Sequence, residues 1–212
     1  MQLNAVDIHF WRIVAAGVAF MALFPGMSYL FNHRWCQGNL VIVRSDALLQ
    51  VALVFSLALF FEATVNPLYT SLFGHKLWEY RLFPLHDGNV SALAVLVWTS
   101  YGIHLYFLNQ TLDRWFANYP RRNLLKAMLI GAEAPLLWEV VGNGYFLLTV
   151  GEFYAYYLPS DLLHFTSLRV VPVYMVCIYI GLRVHEKIQA RASGWEWTAG
   201  LFAGGAVFLS LG

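Results

Sequence analysis

The sequence predicts an all-α integral membrane protein with about six transmembrane helices. Three observations predict it. Of the 212 residues, 59% are hydrophobic, and 17% of the chain is aromatic. Only 12% are charged, about half the roughly 25% of a soluble domain. Mean hydropathy is +0.58. The net charge of +1 leaves no basic face for nucleic acid. Cys36 and Cys177 lie far apart, so neither a disulfide framework nor a zinc ribbon is expected.

A spanning helix needs roughly 20 mostly apolar residues. Six segments qualify: 10–31, 47–66, 88–108, 124–148, 163–182 and 195–211. The first lacks a basic flank and is long enough to span, so it reads as a retained helix rather than a cleaved signal. Pro135 and Pro172 are expected to kink the fourth and fifth segments. The last carries Gly200 and Gly204, a spacing that lets another helix approach closely. No linker divides the chain, so residues 1–212 form one polytopic domain.

Orientation follows from the basic residues. The loops after the first, third and fifth segments hold Arg34, Arg44, Arg114, Arg121, Arg122, Arg183, Lys187 and Arg191, with Lys126 at a helix start. The opposite loops hold only Lys76 and Arg81. Basic loops stay in the cytoplasm, so both termini are expected outside, in a bacterial inner (plasma) membrane. The outer loops 67–87 and 149–162 are rich in Trp, Tyr and Phe.

An internal repeat is legible. "LFFEATVNPLY" carries Glu62 and Asn66, and "PLLWEVVGNGY" carries Glu139 and Asn143, each 77 residues on. A slip of two residues then sets Trp78 over Phe153, Pro84 over Pro159 and Leu93 over Leu168. The chain therefore reads as a tandem pair of parallel helix-loop-helix repeats, 47–108 and 124–182, related by an axis along the membrane normal. Glu and Asn at i and i+4 share one helix face. That face must point inward, because a carboxylate facing lipid costs about 2.5 kcal/mol or more.

The expected outer-half cluster is Glu62, Asn66, Glu139, Asn143, His164 and Arg169. Two readings fit it. In one, Arg169 pairs with a glutamate and the asparagines tie helices together, by contacts worth about 0.6 kcal/mol each. In the other, the cluster lines a pocket. Like charges in apolar surroundings disfavour double ionisation. One carboxyl then serves as general acid and the other as base. Glu62 and Glu139 are the catalytic candidates. Asn66, Asn143, His164, Arg169, Trp78 and Tyr80 are the candidates for binding substrate. Glu133 in "GAEAP" reads as a packing hydrogen bond to a neighbouring helix. His75, Glu79, His86 and Asp87 are metal-ligand types in one loop, but their spacing matches no metal signature. His104 and His164 fall at opposite surfaces and cannot share a haem. No metal and no cofactor is expected.

The repeat unit resembles integral-membrane carotenoid-modifying proteins, the carotenoid hydratases and small lycopene-cyclase units. The likeness rests on a helix with Glu, an outer loop with Gly and spaced aromatics ("GHKLWEYRLFP", "GEFYAYYLP"), and a following helix that opens on "AVLVW" or "RVVPVY". It covers roughly residues 60–100 and 137–175. The chain departs from that family in lacking its acidic Pro-Glu-Glu signature and in its Gly spacing. The resemblance implies acid–base chemistry on polyene double bonds, with Glu62 and Glu139 as the functional acids. The expected function is a membrane-embedded acid/base enzyme acting on an isoprenoid or lipid. The alternative is a non-catalytic subunit of a larger membrane complex that binds lipid or pigment. Expected partners are a hydrophobic small molecule, the membrane itself and other membrane subunits.

Overall fold

The computed structural model describes residues 5–190 and 194–211. Arg191, assigned above to a cytoplasmic loop, lies outside the described residues. The fold is a helical bundle. Its helices are α1 (Ala5–Trp35), α2 (Arg44–Phe73), α3 (Ala94–Trp115), α4 (Arg122–Glu133), α5 (Val140–Val150), α6 (Val171–Gln189) and α7 (Gly194–Ser210). Three helical stretches, Ile8–Trp35, Arg44–Phe73 and Leu168–Gln189, are long and apolar enough to cross a membrane.

Helices α4 and α5 are joined without a break by one wide π turn, Ala134–Glu139. Pro135 explains it. Proline has no N–H to donate, and its ring crowds the carbonyl four residues back. A wider turn relieves the clash while the chain stays helical. The expected kink is therefore an extra-wide turn that ends on Glu139. Pro172 does not kink its helix. It sits in the first turn of α6, where no N–H partner is required.

Two hairpins dominate the bundle: α2 packs on α3, and α4 packs on α6. Each crossing is set by a glycine. A Cβ on Gly102 would stand 2.7 Å from Val51 Cα, and one on Gly131 would stand 2.6 Å from Met175 Cα. Helix α1 covers α3 and α5, and α7 lies along α2. The Gly200/Gly204 expectation is corrected here. Added Cβ atoms at these two glycines meet nothing within 4 Å, and the close approach of α7 is made by Gly205 against Phe55.

The basic ends of the helices gather together. Arg114 Nη1 donates to Cys36 O, Lys126 Nζ lies 2.9 Å from Asp113 Oδ1, and Asn123 Nδ2 donates to Glu186 Oε1. At the opposite end the loops are built from β1 (Trp78–Tyr80), β2 (Pro84–Leu85), β3 (Val90–Ser91) and β4 (Ala155–Tyr157). The pairing of β2 with β3 delays α3 to Ala94 instead of 88. A bridge between Leu162 and Thr166, then the Ser167 cap, delay α6 to Val171 instead of 163. Helix α2 runs on past Pro67 to Phe73 and stops at Gly74, whose φ of 75° suits glycine.

Strand β1 pairs antiparallel with β4 and so ties the two outer loops together. The register is Trp78 to Tyr157, Glu79 to Tyr156 and Tyr80 to Ala155. Two flanking bonds are reciprocal: Arg81 N–H donates to Tyr154 O, and Leu158 N–H donates to Leu77 O.

Candidate functional site

Glu62 sits on α2, only 5% exposed. Its Oε1 accepts from the Tyr80 hydroxyl of β1 and from Trp98 Nε1 of α3, the latter at 2.8 Å. Its Oε2 is buried and has no partner among the described residues. Glu139 ends the π turn. Its Oε1 accepts from the Tyr174 hydroxyl of α6, and its Oε2 accepts from Thr166 Oγ1 at 2.6 Å. Both glutamates stand eleven residues before the last residue of their helix, Phe73 or Val150. At 1.5 Å per residue that is about 16 Å from the loop end.

The two carboxyls line one cavity of ≈ 100 Å³. Its walls are one face of α2 and one face of α6, with α3 behind. The lining is apolar apart from the glutamates, a few phenols and indoles, and two amides. A second, smaller cavity of ≈ 60 Å³ shares Tyr80, Trp98, Tyr101, Glu139 and Tyr174 with it. Neither carboxylate has a salt-bridge partner among the described residues. Burial pushes the loop phenols Tyr80 and Tyr157 well above the ordinary tyrosine range. Both are therefore protonated donors under working conditions.

Both asparagines bond to the outer loops. Asn66 is 0% exposed. Its Oδ1 accepts from Leu77 N–H at 2.8 Å and from Trp78 N–H at 3.4 Å, and its Nδ2 donates to Trp78 O and Asn89 Oδ1. Asn143 Oδ1 accepts from Ala155 N–H at 2.9 Å, and its Nδ2 donates to Phe165 O. Each amide pins the first residue of its loop strand, and both bonds span twelve residues. Asn143 also touches the smaller cavity. Equivalent contacts of Asn66 and Asn143 thus recur at an offset of 77, as do the left-handed helix caps Gly74 and Gly151. The N–H groups so held belong to Trp78 and Ala155, whereas the sequence alignment sets Trp78 over Phe153.

Trp78 and Tyr80 line the larger cavity. His164 and Arg169 do not. His164 Nδ1 bonds Tyr157 O at 2.6 Å, and its ring stacks on Tyr156. Arg169 is exposed and donates to the Tyr69 hydroxyl at 2.6 Å. It pairs with neither glutamate. Of the loop residues weighed as metal ligands, His75 bonds Lys76 O, Asp87 pairs with Lys76 Nζ, Glu79 pairs with Arg81, and His86 bonds Phe208 O.

Sequence reasoning missed Trp98, Tyr174, Tyr157 and Thr166. A signal existed for two of them. Trp98 follows Glu62 by 36 residues and Tyr174 follows Glu139 by 35. It also missed the environment of Glu133. Glu133 Oε1 lies 3.0 Å from His104 Nε2 and accepts from Trp138 Nε1, and Glu133 Oε2 accepts from the Tyr101 hydroxyl. His104 Nδ1 is 2.7 Å from Ser28 Oγ, and Asn32 and Thr111 continue this buried network. Glu133 thus holds α1, α3 and α4 together, a packing role.

No family model, curated protein or solved structure matches the chain.

Proposed function

We propose that this chain is a membrane-embedded acid/base enzyme that moves or protonates a carbon–carbon double bond in a hydrophobic substrate of the isoprenoid or lipid class. The observation that carries the reading is the shared cavity. The buried carboxyl of Glu62 and the half-buried one of Glu139, with no basic counter-ion among the described residues, face one apolar slot. A packed-shut polar cluster would favour helix-tying instead. The likeness to carotenoid-modifying proteins agrees with the same chemistry.

Glu62 is the acid in this proposal, because its Oε2 is left without a donor and can carry a proton. Glu139 is the base, because donors reach both of its oxygens, and bonds donated to a carboxylate favour the ionised form. Glu62 gives its proton to one alkene carbon, whose π pair forms the new C–H bond. The adjacent carbon becomes cationic. Glu139 removes a proton from the next carbon, and that C–H pair becomes the shifted double bond. The Trp98, Tyr101 and Tyr174 rings lining the slot stabilise the cation through their faces. One proton leaves Glu62 and one arrives on Glu139, so a proton returns from Glu139 to Glu62 before the next turnover, and no electrons are gained or lost overall.

The frame proposed for this site has six membrane-crossing helical rods, with α4 and α5 counted as one. It lies in a bacterial inner membrane with both termini outside. It contains two repeats, 47–108 and 124–182. The recurring offset of 77 and the reciprocal β1–β4 register support the repeats. The gathered basic helix ends support the orientation.

The test is an inventory by mass spectrometry of the apolar molecules that co-purify with the wild type, Glu62→Gln and Glu139→Gln. One enriched lipid or polyene whose chemical form differs in the variants is the expected result. Intact partner proteins with no specific lipid would overturn it and make the chain a structural subunit.

A further inference from the structure

The slot has a second polar end. Gln50 of α2 and Asn109 of α3 both line it. Gln50 is buried, and Asn109 Oδ1 is fully buried with no partner among the described residues. The positions agree from two helices. Gln50 precedes Glu62 by twelve residues on α2, and Asn109 follows Trp98, a donor to Glu62, by eleven on α3. At 1.5 Å per residue, both put the amides roughly 16–18 Å from the carboxyl end. Between the ends the walls are Leu53, Leu57, Leu105, Ile130, Ile178 and Leu182.

A buried amide oxygen without a donor is unfavourable. The charged groups lining the slot are the two glutamates, so the amide end offers nothing to an ionic head group. A carbonyl can only accept and would leave Asn109 Oδ1 bare. A hydroxyl both donates to an amide oxygen and accepts from an amide N–H. The lining runs from the amides to the glutamates, so a ligand that reaches both ends is extended.

We propose that the amide pair Gln50 and Asn109 is the head-group subsite for an elongated apolar alcohol. The hydroxyl bonds Asn109 and the body lies along the slot. The reacting double bond reaches Glu62 and Glu139 at roughly 16 Å from the hydroxyl. The placing of the double bond rests on the acid/base reading; the binding of the alcohol does not.

The probe is radiolabelled geranylgeraniol bound to the full chain in lipid nanodiscs, competed by unlabelled geranylgeraniol and by its methyl ether. The ether has the same body but no hydroxyl donor. Against wild type, the ether is expected to compete about tenfold more weakly, the worth of one hydrogen bond. In Asn109→Leu this difference vanishes while ether binding stays unchanged, which shows that the slot is intact. Glu62→Gln keeps the preference. Equal competition in wild type overturns the proposal, as does a preference that survives Asn109→Leu, or no bound label at all. A preference for the alcohol without any change of its double bonds would sink the acid/base function and leave this subsite standing.

Discussion

At the scale of single residues, the two glutamates are alike in depth and unlike in company. Glu62 has one oxygen shared by an indole and a phenol and one left over. Glu139 has a donor on each. Glu62→Gln and Glu139→Gln are each expected to slow double-bond chemistry on the co-purifying substrate by on the order of 10²–10⁴-fold. Turnover in proteoliposomes measures this, and a loss under tenfold would remove that glutamate from the chemistry. Asn66 has a structural signature instead. Asn66→Ala leaves Leu77 N–H and Trp78 O buried without their bonds. It should cost about 3 kcal/mol, read as a lower denaturation midpoint in detergent. Asn143→Ala removes fewer bonds and should cost less.

At the scale of elements, each hairpin depends on one glycine. An alanine Cβ at Gly102 or Gly131 would sit inside the backbone of the facing helix. Gly102→Ala and Gly131→Ala should each destabilise by about 1–3 kcal/mol. Gly200→Ala meets open space and should leave the melting temperature unchanged or raise it, since alanine favours helix. The π turn makes a sharper prediction. It sets the register between Glu133, which faces His104 on α3, and Glu139, which faces Tyr174 on α6. Pro135→Ala removes the reason for the wide turn. The fold should hold, since alanine favours helix, while Glu139 swings off the slot and turnover falls at least tenfold. Full activity in a stable Pro135→Ala would show that the turn does not position Glu139.

At the scale of the whole molecule, the two hairpins face one another across the slot, and their loops are stitched by β1 and β4. The proposed orientation predicts that cysteines placed at Glu152 and at Asn118 label from opposite sides. With Cys36 and Cys177 replaced by serine, an impermeant maleimide should reach Glu152→Cys in intact cells and Asn118→Cys only after permeabilisation. Labelling of both in intact cells would refute the topology. Helices α1 and α2 expose large apolar side chains such as Leu23, Leu30, Phe60 and Leu72, the kind of surface that a membrane covers.

The sequence by itself determined the apolar, helical character, because burying backbone in lipid demands long uninterrupted apolar runs. It also marked Glu62, Asn66, Glu139 and Asn143, because an acid in such a run is costly anywhere but the interior. Tyr80 and Trp78 were legible as loop aromatics near those acids. The starts of α3 and α6 were not, because β2–β3 pairing and the Leu162–Thr166 bridge use residues that are apolar enough to read as helix. Arg169 was misplaced for a related reason. Its position near a helix start fixed its depth, but the side chain turned outward to Tyr69. Only the tertiary structure brought Trp98 to Glu62, Tyr174 to Glu139 and His104 to Glu133. Those partners lie 36, 35 and 29 residues apart in the chain. Local periodicity says which face of a helix turns inward, but which group waits there is decided by how the helices cross.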